Sequence, residues 1–227
     1  MNTLHPTNHN LHLTYQETWH ALPVIHRHVP LIDEYLEKIH AVLTHAIGEY
    51  PRTLVVRIDL RFPEVGYQAE DDVMKRFIGS LRSQIEFARL RSNRHGVKTY
   101  PCWVRYVWVR EQDGSPNPHY HVALMLNRNA YFCLGRLKRV EEYAMLAAGN
   151  FNLADRIRKA WASALRLPFE AAAGLVHFPE NPVYDLCKGS EDFPTQWERV
   201  FERLSYMAKA RTKQYGQGYR CFGSSES

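Results

Sequence analysis

The sequence predicts an α+β fold with an antiparallel sheet of four or five strands and helices mainly on one face. One observation is the run at 53–60, where apolar residues at 54, 56, 58 and 60 alternate with the charged Arg57, Asp59 and Arg61, which is typical of a strand covered on one side. Another is a pair of runs, 103–111 and 118–126, separated by turn formers, which predicts a β-hairpin. Segments with helical spacing lie between these strands.

The N-terminal part predicts an arm, a helix and a strand. Residues 1–22 are polar and contain no apolar signal core, so we expect a mobile arm. Apolar residues recur with helical spacing over 31–47, between Pro30 and Gly48. We therefore predict an N-terminal arm and helix over 1–50 and a main domain over 51–225.

The rest of the chain alternates between the two kinds of element. We predict a long helix at 69–90, a partly helical region at 127–149, a helix at 151–165 and a short strand at 174–178. A loop at 181–194, a helix at 196–210 and a Gly/Ser-rich tail to 227 complete the chain. The resulting β-α-β-β-α-β order is similar to that of ferredoxin- and RRM-like palms, whose open sheet face would carry the polar side chains.

Composition narrows the class of protein. The 227 residues suffice for one domain, and a hydrophobic content of 45% supports a core. A formal net charge of +5 is compatible with a nucleic-acid partner. The four cysteines lack metal or disulfide spacing, which predicts reduced thiols and a cytoplasmic location. No apolar run is long enough for a membrane span, and no phosphate loop indicates a built-in NTPase motor.

Two histidines on the second hairpin strand are the strongest functional signal. His119 and His121 are two apart in a strand, so both imidazoles point to the same face. Because the chain has twelve histidines, such a pair alone is weak. Glu111 precedes His119 at hairpin distance, and antiparallel pairing would bring it to the same face. These three residues predict a site for a divalent metal, Mn²⁺ or Mg²⁺, although ligand type alone leaves zinc open.

A tyrosine near the C-terminus supplies a candidate nucleophile. The apolar stripe of the helix at 196–210 leaves Tyr206 on the opposite side, with Lys209 on the same face. A free phenol, with a pKa of about 10, is a poor nucleophile at neutral pH, and a neighbouring ammonium group would favour its phenolate. The Tyr-x-x-Lys spacing is a weak signal alone and gains weight from the histidine pair.

Together, Glu111, His119-Tyr120-His121 and Tyr206-x-x-Lys209 resemble the HUH endonuclease superfamily of rolling-circle replication initiators, relaxases and transposases. The hairpin over 110–122 is similar to that of initiators of small circular DNA. Segments 54–61, 77–82, 204–209 and 220–225 resemble a narrower group, the inovirus-type replication proteins with a YagK/YfjJ-like domain. The resemblance extends over about residues 50–225.

The resemblance implies a site-specific nickase that initiates rolling-circle replication of a phage, prophage or satellite replicon in a bacterial host. Tyr206 would attack a phosphate of single-stranded origin DNA and form a 5′-phosphotyrosine link, with Lys209 beside the phosphate. Unwinding would come from a host helicase. The residues that we expect to contact DNA or support the site are Arg57, Asp59, Arg61, Arg82, Arg199 and Lys213.

Other functions remain open at this point. Glu202 and Ala210 occupy the positions one turn from Tyr206, so a single tyrosine is present and terminating a rolling circle needs a second protomer or nucleophile. A single-tyrosine transposase would act on transposon-end hairpins instead. A non-catalytic DNA-binding regulator could keep the same fold. An RNA-binding protein could stack bases on Trp103, Tyr106 and Trp108. The sequence does not determine the oligomeric state.

Overall fold

The computed structural model describes residues 3–64, 72–112, 117–138 and 151–225. Within them the α+β class is confirmed. The helices are α1 (Asp33–Glu49), α2 (Val73–Arg94), α3 (Leu153–Leu165), α4 (Phe169–Ala172) and α5 (Phe193–Ser205). The strands are β1 (Thr3–His5), β2 (Asn8–Thr14), β3 (Thr18–Trp19), β4 (Leu22–Pro23), β5 (Leu31–Ile32), β6 (Arg52–Arg61), β7 (Arg105–Glu111), β8 (His119–Asn127), β9 (Val176–His177), β10 (Val183–Cys187) and β11 (Phe222–Ser224).

The main sheet has six strands in the described residues, more than the four or five predicted. Its order is β10-β6-β8-β7-β11, and β9 pairs with the other end of β6. The predicted loop at 181–194 is wrong over Val183–Cys187, because this short segment pairs antiparallel with the edge of β6. The C-terminal tail likewise contributes β11, which pairs with β7. Edge strands this short carry little periodicity, so their pairing depends on the neighbouring strand.

Helices cover both faces of this sheet, so the prediction that they lie mainly on one face is wrong. Alternate β6 side chains such as Leu54 and Ile58 pack with α2 and α3 in one apolar cluster. Val55 belongs to a second cluster on the other face, with α1 and α5. The charged residues that made this second face look solvent-exposed are partly buried: Arg57 is only 4% exposed because it pairs with Asp59.

The N-terminal segment is folded, which overturns the predicted mobile arm. β1, β2 and β5 form a three-stranded antiparallel sheet, and β3 and β4 form a small hairpin. Leu11 and Leu13 of β2 join the second apolar cluster together with α1. Polar residues alternate with these leucines, so the segment is amphipathic at strand spacing although its composition is polar. It packs against α1 and α5, on their side of the main sheet.

The longer predicted helices are confirmed with shifted ends. α1, α2 and α3 occur within a few residues of the predicted bounds. The last helix is shorter than predicted, because α5 ends at Ser205 and a 3₁₀ turn, Tyr206–Ala208, follows it. The predicted helix start at 69, the hairpin turn at 113–116 and residues 139–149 of the predicted partly helical region lie outside the described residues, and the described part of that region, 127–138, contains no helix.

Two simpler features agree with the sequence. No helix in the described ranges is both long and apolar enough to cross a lipid bilayer. The four cysteines are all free thiols, and Cys221 is buried. Cysteine spacing had indicated the same state.

Gly223 of β11 sits where a side chain has no room. A Cβ built there would lie 2.4 Å from the Trp108 ring, which packs against the strand. We expect Gly223→Ala to lower the free energy of unfolding by about 1–3 kcal/mol, as overpacking does. Urea unfolding measures the change. Gly48→Ala in α1 is the matched control: its Cβ meets nothing within 4 Å, and a helical alanine should stabilise by about 0.5–1 kcal/mol. Equal unfolding free energies for the two variants would contradict this assignment.

Candidate metal centre

Strand register brings the predicted metal ligands together. On one side of β8, Glu111 pairs with His119 and Val109 with His121. On the other side, Arg61 pairs with His119 and Asp59 with His121. Directly opposed residues in an antiparallel sheet project from the same face. The face that carries α1 and α5 therefore presents Glu111, both histidines and Asp59.

Glu111, His119 and His121 form a cluster of potential ligands. One donor atom from each lies within 4.8 Å of the others. Glu111 is 1% exposed and His121 is 7% exposed, whereas His119 is half-buried. The cluster thus has a buried wall and one side open to solvent. Two imidazoles and a carboxylate leave positions for water or a phosphate oxygen on a divalent ion.

The orientation of His121 fits a metal ligand. Its Nδ1 donates to Asp59 Oδ1 at 2.6 Å, which leaves the lone pair of a neutral ring on Nε2. Nε2 faces Glu111 Oε2 at 3.3 Å and is buried without a hydrogen-bond partner among the described residues. Lys209 Nζ contacts Oε2 at 2.7 Å and compensates the carboxylate, but the Nε2 lone pair has no donor among the described residues. The donor set therefore fits a divalent cation.

Charges around Glu111 keep its carboxylate ionised. Burial alone would raise the pKa of Glu111, but His121, Lys213 and Lys209 outweigh burial and hold it well below its usual range. Lys213 Nζ lies 2.6 Å from Oε1, and Lys209 Nζ lies 2.7 Å from Oε2. Burial lowers the pKa of Lys213 to about 8, against the opposing effect of Glu111. Burial lowers the pKa of His119 to about 4, which favours a neutral ring at neutral pH.

The segment after α5 carries Tyr206 and Lys209 to this cluster. Lys209 Nζ donates to the Tyr206 hydroxyl at 2.6 Å and lies 4.1 Å from the centre of its ring. The Tyr206 ring meets His121 edge-on, with 5.4 Å between ring centroids. An isolated bridge between Leu31 and Lys209 ties this segment to the N-terminal sheet. A phenol, an ammonium group and the ligand cluster therefore share one site, although Tyr206 is in a 3₁₀ turn and not in the helix.

The predicted DNA-contacting residues fall into three groups. Arg61 is exposed on β6 opposite His119, beside the cluster. The side chains of Arg57 and Lys213 are buried against carboxylates, so neither is available on the surface of this structure. Arg82 on α2 and Arg199 on α5 are exposed away from the cluster, and Arg82 packs on Tyr106 of the opposite sheet face.

Sequence reasoning missed several contacts of the site. Asp59 accepts a hydrogen bond from His121 Nδ1, whereas the sequence predicted only that Asp59 contacts DNA or supports the site. Asp59 lies opposite His121 because of the register between β6 and β8, which the sequence does not show. Lys213 was assigned to DNA, but it neutralises Glu111. His28 contacts Tyr206 edge-on, with 4.9 Å between ring centroids. No local signal predicted that contact, because it joins residues distant in sequence.

Comparisons with known proteins agree on one family. The model of the YagK/YfjJ C-terminal domain matches residues 14–225. The uncharacterized protein YagK of Escherichia coli (strain K12) is 34% identical over 222 residues, covering 94% of this chain and 98% of YagK. The uncharacterized protein YfjJ of the same strain is 30% identical over 207 residues, covering 84% of this chain and 93% of YfjJ. No solved structure matches.

The chain therefore belongs to the YagK/YfjJ C-terminal domain family. The match begins at residue 14, within β2, and ends at residue 225, just after β11. It includes the whole cluster and the segment that carries Tyr206. The resemblance to the YagK/YfjJ-like domain is thereby confirmed, whereas the link to inovirus-type replication proteins and membership of the HUH superfamily stay predictions.

Asp59→Asn provides a test of the metal centre. The loss of a charged acceptor for His121 Nδ1 should weaken Mn²⁺ binding about 10- to 100-fold, as the loss of such partners does in other metal sites. Isothermal titration calorimetry measures the dissociation constant. His177→Ala is the control, because His177 is exposed and contacts the other Asp59 oxygen only at 3.5 Å. Its affinity should stay within about threefold of wild type, and equal losses in both variants would argue against the specific role of Asp59.

Acid should destabilise the fold through two carboxylates. Contacts with His121 and cations hold the pKa of Asp59 and of Glu111 below the usual range, despite burial. The unfolded chain therefore binds protons first as pH falls below about 4.5, and stability present at neutral pH is lost. Each carboxylate contributes a slope of up to about 1.4 kcal/mol per pH unit. Urea unfolding from pH 5 to 3 in EDTA should give a shallower slope for Asp59→Asn, and an unchanged slope would contradict this account.

Proposed function

We propose that the protein is a site-specific single-stranded DNA nickase and strand transferase with Tyr206 as nucleophile. One observation carries the proposal: the Tyr206 hydroxyl, Lys209 and Glu111 form a continuous chain of contacts beside His121. A structural tyrosine would not need a buried ammonium group next to a candidate metal cluster. The resemblance of the His119-Tyr120-His121 hairpin to the HUH endonucleases supports the same assignment.

Each residue of the site then has a role. Glu111, His119 and His121 would hold a divalent ion, Mn²⁺ or Mg²⁺, which polarises the scissile phosphate when bound. Asp59 orients His121, and Lys213 keeps Glu111 charged and in place. Lys209 donates to the Tyr206 hydroxyl and would stay close to the charge that develops on the phosphate. Arg61, exposed opposite His119, would contact the adjacent backbone phosphate.

The reaction exchanges one phosphodiester for another. Tyr206 Oη attacks phosphorus, the bond from phosphorus to the 3′ oxygen breaks, and that oxygen takes a proton to become a free 3′-hydroxyl. The fragment on the 3′ side of the nick stays attached to Tyr206 through its 5′ phosphate, as a phosphotyrosine ester. No water or nucleotide cofactor is consumed, so attack of a 3′-hydroxyl on this ester reseals a strand.

This chemistry suits the initiation of rolling-circle replication of a phage, prophage or satellite replicon. The released 3′-hydroxyl primes synthesis, and a host helicase would unwind the duplex in the bacterial cytoplasm. Tyr206 is the single tyrosine of its turn, so one protomer holds one covalent strand at a time. Closing the circle then requires a second protomer or another nucleophile.

A strand-labelling assay tests the proposal. Single-stranded oligonucleotides tiling both strands of the replicon that encodes the protein are incubated with it and Mn²⁺. A 3′-end label should move with the protein on a denaturing gel, and a 5′-end label should appear on a released fragment that a polymerase can extend. Tyr206→Phe should abolish the adduct, and Tyr184→Phe on β10 should retain it. His119→Ala should lose cleavage but keep its DNA affinity within about threefold, because phosphate contacts dominate binding.

Three outcomes count against the proposal. No adduct with any oligonucleotide, together with sequence-specific binding, would favour the non-catalytic regulator. An adduct that survives in Tyr206→Phe would move the nucleophile elsewhere. Cleavage only of hairpins from element ends would favour the single-tyrosine transposase.

A further inference from the structure

A groove that the metal site does not use runs along the opposite face of the sheet. A cavity of about 800 Å³ lies between α2, the sheet and the segment before β11. A second cavity, of about 620 Å³, shares Arg82, Tyr106 and Arg220 with it. Because they share these side chains, the two cavities are adjacent, and together they are called the groove here. Side chains of β7 alternate between faces, so Trp108 lines the groove whereas Glu111 belongs to the metal cluster.

The groove is basic. Lys75, Arg82 and Arg220 are exposed in it, and none of the three has an acidic partner in the described parts of the chain. Asp72 on its rim is already paired with Arg76. A surface with three such cations favours a ligand with several negative charges along its length.

Aromatic rings line the same groove. The Tyr219 ring is 40% exposed, and the buried Arg110 guanidinium lies 4.2 Å from its centre, which supports the ring from beneath. Trp108 packs against Gly223, where any side chain would displace it. Trp103, at the far end, is 67% exposed. Fixed rings interleaved with cations are the pattern by which proteins bind single strands, through stacked bases and phosphate contacts.

We propose that this groove binds a single-stranded DNA segment flanking the cleaved position, a second contact region separate from the metal site. The choice of DNA rests on the proposed function. Arg110 and Glu111 are consecutive on β7 and point to opposite faces, so the Tyr219 end of the groove is at the same end of β7 as the cluster. A strand that leaves the site can therefore reach the groove around the end of β7.

Binding without cleavage tests the groove. The protein with Tyr206→Phe is titrated in EDTA into a fluorescein-labelled 20-nucleotide oligo-dT, and anisotropy reports the dissociation constant. Adding Lys75→Gln and Arg220→Gln should weaken binding at least about tenfold, and the slope of log affinity against log salt should fall by about 1.4, about 0.7 for each lost contact. Tyr219→Ala should weaken binding about 5- to 100-fold through lost stacking.

The matched control removes two charges elsewhere. Lys38 on α1 and Lys188 after β10 are exposed outside the groove. Lys38→Gln with Lys188→Gln should leave the affinity within about twofold. Equal losses in the two double variants, an equal loss on duplex DNA, or competition by poly-glutamate at the same concentration as oligo-dT would each overturn the proposal. Thermal unfolding confirms that every variant is folded.

Failure of the groove and failure of the nickase give different results. If wild type forms the adduct but the variant with Lys75→Gln and Arg220→Gln binds oligo-dT with unchanged affinity, the nickase proposal stands and the groove proposal fails. If no adduct forms but the groove variants bind oligo-dT more weakly than the control, the groove proposal stands and the nickase proposal fails. Cross-linking of 5-iodouracil oligonucleotides should label peptides containing Trp108 or Tyr219, and labelling confined to Arg61 and its neighbours would count against the groove.

Discussion

A buried carboxylate organises one face of the sheet. Glu111 is almost fully enclosed, and an unpaired charge in such a place would cost several kcal/mol. Lys209 and Lys213 supply the compensating charges, from a segment about one hundred residues further along the chain. Because the carboxylate needs these partners, the turn after α5 has to dock on the sheet. That docking is what places Tyr206 beside His121.

Glu111 Oε2 lies between a candidate metal ligand and the lysine that contacts the candidate nucleophile. Oε2 faces the free lone pair of His121 and also contacts Lys209, which in turn holds the Tyr206 hydroxyl. The candidate metal ligands and the candidate nucleophile are therefore parts of one charge network. A change at any member alters the charge balance of the rest, so effects of substitutions here should not be additive.

The part of the site that depends on local pattern was predictable. Period-two spacing put His119 and His121 on one face, and the turn-rich segment before them put Glu111 opposite His119, as the register confirms. Features that depend on contacts between residues distant in sequence were not predictable. The polar alternation of β6 suggested an open face, because nothing local shows that α1 and α5 pack on that side of the sheet. The short edge strands and the folded N-terminal segment were not predicted for the same reason.

The sequence by itself determined the α+β class, the hairpin, the long helices and the identity of the three candidate ligands, because each depends on spacing within one element or one turn. Only the tertiary structure decided that Asp59 holds His121, that Lys213 is a partner of Glu111 and that Arg82 lies with Tyr106 on the other face. These contacts join residues far apart in sequence. Their existence depends on strand order and on compensating buried charge, neither of which leaves a local pattern.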